Sequence, residues 1–149
     1  MSLFSNILAR DRIVDLIGTS KNEILKELVE AIAKSEHVQN KEEFLEKIME
    51  REGILSTGIG IGVAIPHAKI GSVTDFVLAI GRSKKGVDFD SIDKRPVFLI
   101  FMIGGPDNKQ HEYLKLLAKI SIVIKQNDIK EQMMKAKEIK QIYDILIDA

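Results

Sequence analysis

Pro96-Val97-Phe98-Leu99-Ile100-Phe101-Met102-Ile103 is an unbroken apolar run, and Gly104-Gly105-Pro106 ends it. A strand with one wet face alternates apolar and polar residues, whereas a strand covered on both faces does not. The run is therefore expected to be a central strand. Other strand-like segments surround it. Arg12–Ile17 is short and β-branched, and Val63–Ile65 is halted by Pro66. Val73–Gly81 is longer, and Ser83-Lys84-Lys85-Gly86 should turn the chain after it.

Helical spacing fills the intervals. Ser20 and Glu23 make a capping box, and Ile24, Leu25, Leu28, Val29 and Ile32 follow as one buried stripe, predicting a helix over 21–35. Asn40 and Glu43 open a second helix over 41–52, with Phe44, Leu45, Ile48 and Met49 inward; Gly53 suits the left-handed position after its end. Asp107 with Gln110, or Asn108 with His111, can cap a third, well-buried helix through Tyr113, Leu114, Leu116, Leu117, Ala118 and Ile120. Two more helices are expected over 128–136 and 138–147. Helices interleaved with strands around a doubly buried one imply an α/β sheet covered on both faces. Sites in such sheets lie at strand ends, where the loops Gly58–Gly62 and Gly104–Pro106 fall.

The chain has 149 residues, enough for one domain spanning 1–149, with 22 basic and 22 acidic side chains. That balance argues against a nucleic-acid partner. Without cysteine, disulfides, thiolate metal ligands and a cysteine nucleophile are excluded. Met1–Arg10 has neither a long apolar region nor a cleavage signal, and the longest apolar run is far short of the ~20 residues that span a bilayer. A cytoplasmic protein with no membrane insertion is expected.

The stretch Glu50–Lys69 concentrates the unusual features: Arg51, three alternate glycines (Gly58, Gly60, Gly62), then Pro66-His67. A P-loop needs G-x-x-x-x-G-K-[ST], which is absent, and a dinucleotide fingerprint must run into a helix, whereas these glycines run into a strand and a proline. The glycines allow an irregular turn and close approach by a partner or phosphate. A metal centre is disfavoured, since H-x-H and H-E-x-x-H are missing, and no G-x-S-x-G nucleophile elbow occurs. His37 lies in a polar connection and reads as solvated. His67 follows a proline that sets its direction. His111 falls in the first turn of a helix, where free amides and the dipole favour an anion and keep an imidazole neutral. Arg51 reads equally as a last-turn cation answering the helix dipole or as a guanidinium aimed at a phosphate. Ser56 and Thr57 hydroxyls are further candidate donors. A neutral imidazole can take up a phosphoryl group on one ring nitrogen while the other is held by a hydrogen bond.

Arg51-Glu52 … Ser56-Thr57-Gly58-Ile59-Gly60-Ile61-Gly62-Val63-Ala64-Ile65-Pro66-His67 resembles the signature of the fructose/mannitol-type (type 2) EIIA domains of the bacterial phosphoenolpyruvate-dependent sugar phosphotransferase system, a family that includes the nitrogen-regulatory EIIA proteins. Asp11–Leu16, Gly86–Asp93, Pro96-Val97 and Gly105-Pro106 … His111-x-x-Leu114-x-x-Leu117-Ala118 extend the likeness over nearly the whole chain. The resemblance implies a single-domain mixed β-sheet sandwiched between helices on both faces. It implies that His67 accepts a phosphoryl group from phosphorylated HPr and passes it to a cysteine of an EIIB domain. With no cysteine here, that EIIB must be on a separate chain. His111 matches the family's supporting histidine and Arg51 its phosphate-contacting arginine. No cofactor and no metal are expected. Ile61 stands where many members carry asparagine, and Ala68 where glycine often follows the histidine. The implied function is a phosphocarrier of fructose-like sugar uptake; the alternative is a nitrogen-type regulator that controls other proteins according to its phosphorylation state.

Overall fold

The computed structural model describes residues 3–149; Met1 and Ser2, the start of the segment read for a leader, lie outside them. The apolar run is a central strand, β6 (Val97–Gly105). It pairs antiparallel with β5 (Val77–Val87) on one side. On the other side it pairs parallel with two short strands placed end to end, β3 (Val63–Ala64) and β4 (His67–Lys69). Parallel β1 (Ile13–Asp15) extends the sheet beyond β5, and antiparallel β2 (Gly58–Gly60) extends it beyond β3. The result is a six-stranded mixed sheet in the order β1-β5-β6-β3-β2, with β4 also against β6.

Successive side chains of β6 enter different cores. Ile100 and Met102 pack with Ile24, Leu28, Phe44 and Ile48 of α1 (Lys21–Ile32) and α2 (Lys41–Ile54). Leu99, Phe101 and Ile103 pack with Tyr113, Ile120, Met133 and Leu146 of α3 (Gln110–Ile124), α4 (Asn127–Lys135) and α5 (Gln141–Ile147). Helices thus cover both faces, as expected. Full burial of a side chain such as Phe101 stabilises by about 1.5–3 kcal/mol.

Several local expectations need correction. Gly53 lies inside α2, not in a left-handed position after it; the helix runs to Ile54 and leaves through Leu55 in an extended conformation (φ −161). Arg51 supplies the missing end partner by donating from Nη1 to the Leu55 carbonyl at 2.7 Å, so no glycine cap is needed. Ser83–Gly86 does not turn the chain. β5 continues through it to Val87, and a register shift with Gly86 at φ 84 absorbs the turn-like residues as a bulge. Neither Asp107 nor Asn108 caps α3; its N-cap is Lys109, which makes no side-chain cap bond. The first strand is shorter than Arg12–Ile17, because Arg12 belongs to a 3-10 turn and donates to the carbonyls of Ile7 and Leu78. The Ser20–Glu23 capping box forms with both halves present, although α1 ends at Ile32.

Arg82 on β5 is fully buried. Its Nε and Nη2 donate to the two Asp15 oxygens at 2.8 and 3.0 Å, and Nη1 donates to the carbonyls of Met133 (2.9 Å) and Ala136 (2.7 Å). One guanidinium therefore ties β1 and β5 to the C-terminal end of α4. The bond from Arg82 holds the Asp15 carboxyl below the usual carboxylate range.

Candidate active site

Pro66 separates β3 from β4. It has no N–H to give the ladder, but its carbonyl accepts from Ile103 N–H at 3.0 Å, and the chain rejoins β6 at His67, opposite Ile103. His67 Nδ1 lies 2.7 Å from the Ile65 carbonyl. A carbonyl oxygen only accepts, so Nδ1 carries the proton and Nε2 keeps a lone pair. Burial holds the ring's pKa below the ordinary histidine range; the bond to Ile65 opposes this, nearby Arg51 adds to it, and Glu52 works against it. The ring is therefore neutral at pH 7, with one nitrogen tethered. It lies 5.9 Å from the Tyr113 ring, tilted by 58°.

His67 lines a cleft of about 360 Å³ between the end of α2 and the start of α3. Lys47, Arg51 and Ile54 come from α2, and Gln110 and Tyr113 from α3. Arg51 touches both the helix end and the cleft. It bonds the helix end, and it stands in the cleft close enough to His67 to act on its charge. His111 is placed differently. It sits in the first turn of α3, exposed, and is not among the side chains that line the cleft. Ser56 and Thr57 are also directed elsewhere. Ser56 Oγ donates to the Phe89 carbonyl at 2.6 Å, and Thr57 donates from both N and Oγ1 to the Glu52 carboxylate.

Glu52 is the residue that sequence reasoning passed over, although it stands in the Arg51-Glu52 pair. It is buried, and besides Thr57 it meets Lys21 Nζ at 3.3 Å. It clamps the end of α2 to the entry of β2, which sets where the glycine strand begins. A carboxylate one residue after Arg51, just before a helix end, was the only signal, and it gave no direction.

The glycines form a hairpin. Gly60 pairs with Val63, so Ile61 and Gly62 are the two loop residues, with φ of 54 and 79. Positive φ at both central positions is the requirement of a type I′ turn, for which Asn-Gly is favoured. Ile61, a β-branched residue, carries backbone strain there, which accounts physically for the asparagine found in the resembling family. Ile61→Asn is expected to raise the free energy of unfolding by about 1 kcal/mol, read by equilibrium urea denaturation. A loss of stability would show that the Ile61 side chain contributes more than its backbone strain removes.

A family model described as "Phosphoenolpyruvate-dependent sugar phosphotransferase system, EIIA 2" matches residues 6–149. The chain belongs to this type-2 EIIA family. Among its EIIA relatives, a fructose-specific EIIA component of Haloferax volcanii is 31% identical over 129 residues, covering 87% of this chain and 84% of that protein. A fructose-specific EIIABC component of Bacillus subtilis is 36% identical over 133 residues; the match takes in 89% of this chain and 21% of that longer protein, so the chain spans about a fifth of its length. The crystal structure of the nitrogen regulatory protein IIA-Ntr from Neisseria meningitidis superposes with a TM-score of 0.89 at 33% identity, over 97% of this chain and 99% of that one. Relatives thus carry both fructose and nitrogen-regulatory names. Among the described residues, no helix of this EIIA protein is long and apolar enough to cross a membrane.

Proposed function

We propose that this EIIA protein is a cytoplasmic phosphocarrier of fructose-like sugar uptake, with His67 as the acceptor. The observation that carries the reading is the Nδ1–H bond from His67 to the Ile65 carbonyl, which leaves Nε2 as the nucleophile in a cleft that also holds Arg51. Nε2 attacks the phosphorus of phosphorylated HPr. The Nε2–P bond forms, the donor's N–P bond breaks, and the donor ring nitrogen keeps the electron pair. Positive charge that develops on His67 is stabilised through the Nδ1–H bond, and Arg51 offsets the phosphoryl charge. In the second transfer a cysteine thiolate of a separate EIIB domain attacks; the S–P bond forms and the pair returns to Nε2. Ile54 and Leu114, 77% and 54% exposed on the rim of the cleft, suit an apolar face for either partner. The resemblance assigns a supporting role to His111, which stands exposed in the first turn of α3.

The second reading is a nitrogen-type regulator, favoured by the Neisseria meningitidis neighbour. The discriminating experiment labels the protein with phosphoenolpyruvate, enzyme I and HPr and then offers it a panel of EIIB domains. Rapid transfer to fructose-type EIIB is expected. Labelling without transfer to any EIIB would replace the transport reading by the regulatory one.

A further inference from the structure

Tyr113 is the buried side chain that α3 brings to the cleft, 4% exposed. Its neighbours fix the ring. It lies 5.9 Å from the His67 ring, tilted by 58°, and it stacks on Phe76 at 6.3 Å and 20°. Gly105 makes the room, opposite Lys69 where β4 meets β6. A Cβ at Gly105 would stand 3.0 Å from Tyr113 Cδ1 and 2.9 Å from Phe76 Cδ1. The ring is thus held beside His67 by packing on three sides, with no help from its polar end.

That polar end is the anomaly. The Tyr113 hydroxyl is buried and has no hydrogen-bond partner. Buried polar groups are almost always paired, so an orphan in a cleft is a donor in want of an acceptor. The charge around it favours an anion. Lys47 is paired with Glu50 at 3.6 Å, while Arg51 and Lys69 add two further cations to the lining. Lys69 Nζ lies 6.0 Å from the centre of the Tyr113 ring. Arg51 is close enough to act on both the His67 imidazole and the Tyr113 phenol, so guanidinium, imidazole and hydroxyl surround one volume.

We propose that the Tyr113 hydroxyl is the donor by which α3 holds the phosphoryl group on His67, bonding one of its oxygens, in the role that the family resemblance gives to His111. The proposal rests on the reading of His67 as acceptor. His111 is two residues away and exposed, whereas Tyr113 has its ring against His67 already. Burial raises the pKa of the phenol and Arg51 lowers it by less, so the hydroxyl keeps its proton and remains a donor through the neutral range.

Tyr113→Phe tests this, because it keeps the ring and its packing and removes only the oxygen. The full chain is mixed with phosphorylated HPr, and both the initial rate of uptake and the final partition of the phosphoryl group between the two proteins are measured. Loss of a hydrogen bond to a charged group is expected to shift the partition about tenfold towards HPr and to slow uptake. Equilibrium urea unfolding of the unphosphorylated variant is expected to show stability equal to or above that of the parent, since a buried unpartnered hydroxyl has been removed. A merely structural tyrosine would not give a lowered partition with undiminished stability. A partition within twofold of the parent overturns the proposal and makes the hydroxyl a bystander. If the parent protein itself takes no label on His67, the phosphocarrier reading fails and this proposal falls with it.

Discussion

His67→Ala is expected to take up no phosphoryl group from phosphoenolpyruvate, enzyme I and HPr, while the parent protein labels fully. The reason lies in the tether. His67 Nδ1 is committed to the Ile65 carbonyl at 2.7 Å, so its reactive nitrogen is defined before any partner arrives. His111 is exposed outside the cleft wall, and His37 bonds Thr74 Oγ1 at 2.9 Å in a connection far along the chain. Neither is placed to substitute. Label persisting on His67→Ala would move the acceptor elsewhere. The same variant carries a pH signature. Burial depresses the folded pKa of His67 below its unfolded value of about 6.5. Its neutral form therefore contributes stability that is complete above about pH 6.5 and is lost as the pH falls from there towards the folded pKa. In His67→Ala this part of the stability profile is expected to flatten, as measured by urea unfolding at a series of pH values.

Arg82→Ala is expected to lower the free energy of unfolding by about 3 kcal/mol. The guanidinium is fully buried and serves three elements. Removing it leaves the carbonyls of Met133 and Ala136 without their donor and empties the space between β5 and α4. The Asp15 side chain remains 42% exposed, so water recovers part of its loss, and most of the effect comes from the carbonyls and the cavity. Arg82→Lys is expected to recover little, because an ammonium cannot reproduce the planar fork that meets both Asp15 oxygens and two carbonyls. Equilibrium urea unfolding of both variants tests this. A loss below about 1 kcal/mol in Arg82→Ala would show that water enters and satisfies these groups. Phosphoryl uptake at His67 should survive where the protein stays folded, since Arg82 does not line the cleft.

Much of this architecture was legible in the chain. Pro96–Ile103 has no polar residue to place on a wet side, so its burial on both faces followed from composition. Ser20 with Glu23 and Asn40 with Glu43 marked helix starts because the cap and its receiver are three residues apart. The errors share a different cause. Gly53, Ser83–Gly86 and Asp107/Asn108 all carry the right residues for a cap or a turn. In each case a partner distant in sequence, or a competing neighbour, decides the outcome. β5 runs on past the bulge at Gly86 because β6 takes it up again at Val87, opposite Val97. α2 ends without glycine because Arg51 bonds Leu55 and Glu52 bonds Thr57, just beyond the last turn.

Local chemistry settles by itself that Pro66 interrupts the ladder and that His67 stands at the interruption. The fructose/mannitol-type resemblance pointed to the same histidine. The tertiary structure alone decided its tautomer, since the carbonyl that takes its proton belongs to a backbone path shaped by β6. It also decided which face of α3 meets that histidine. Gln110 and His111 are adjacent in the chain and share the same helix start. Both are exposed, and the α3 ring that lies beside His67 is that of Tyr113, at 5.9 Å, because the buried stripe of α3, seated on the sheet through Tyr113, Leu116 and Ile120, fixes the helix's rotation.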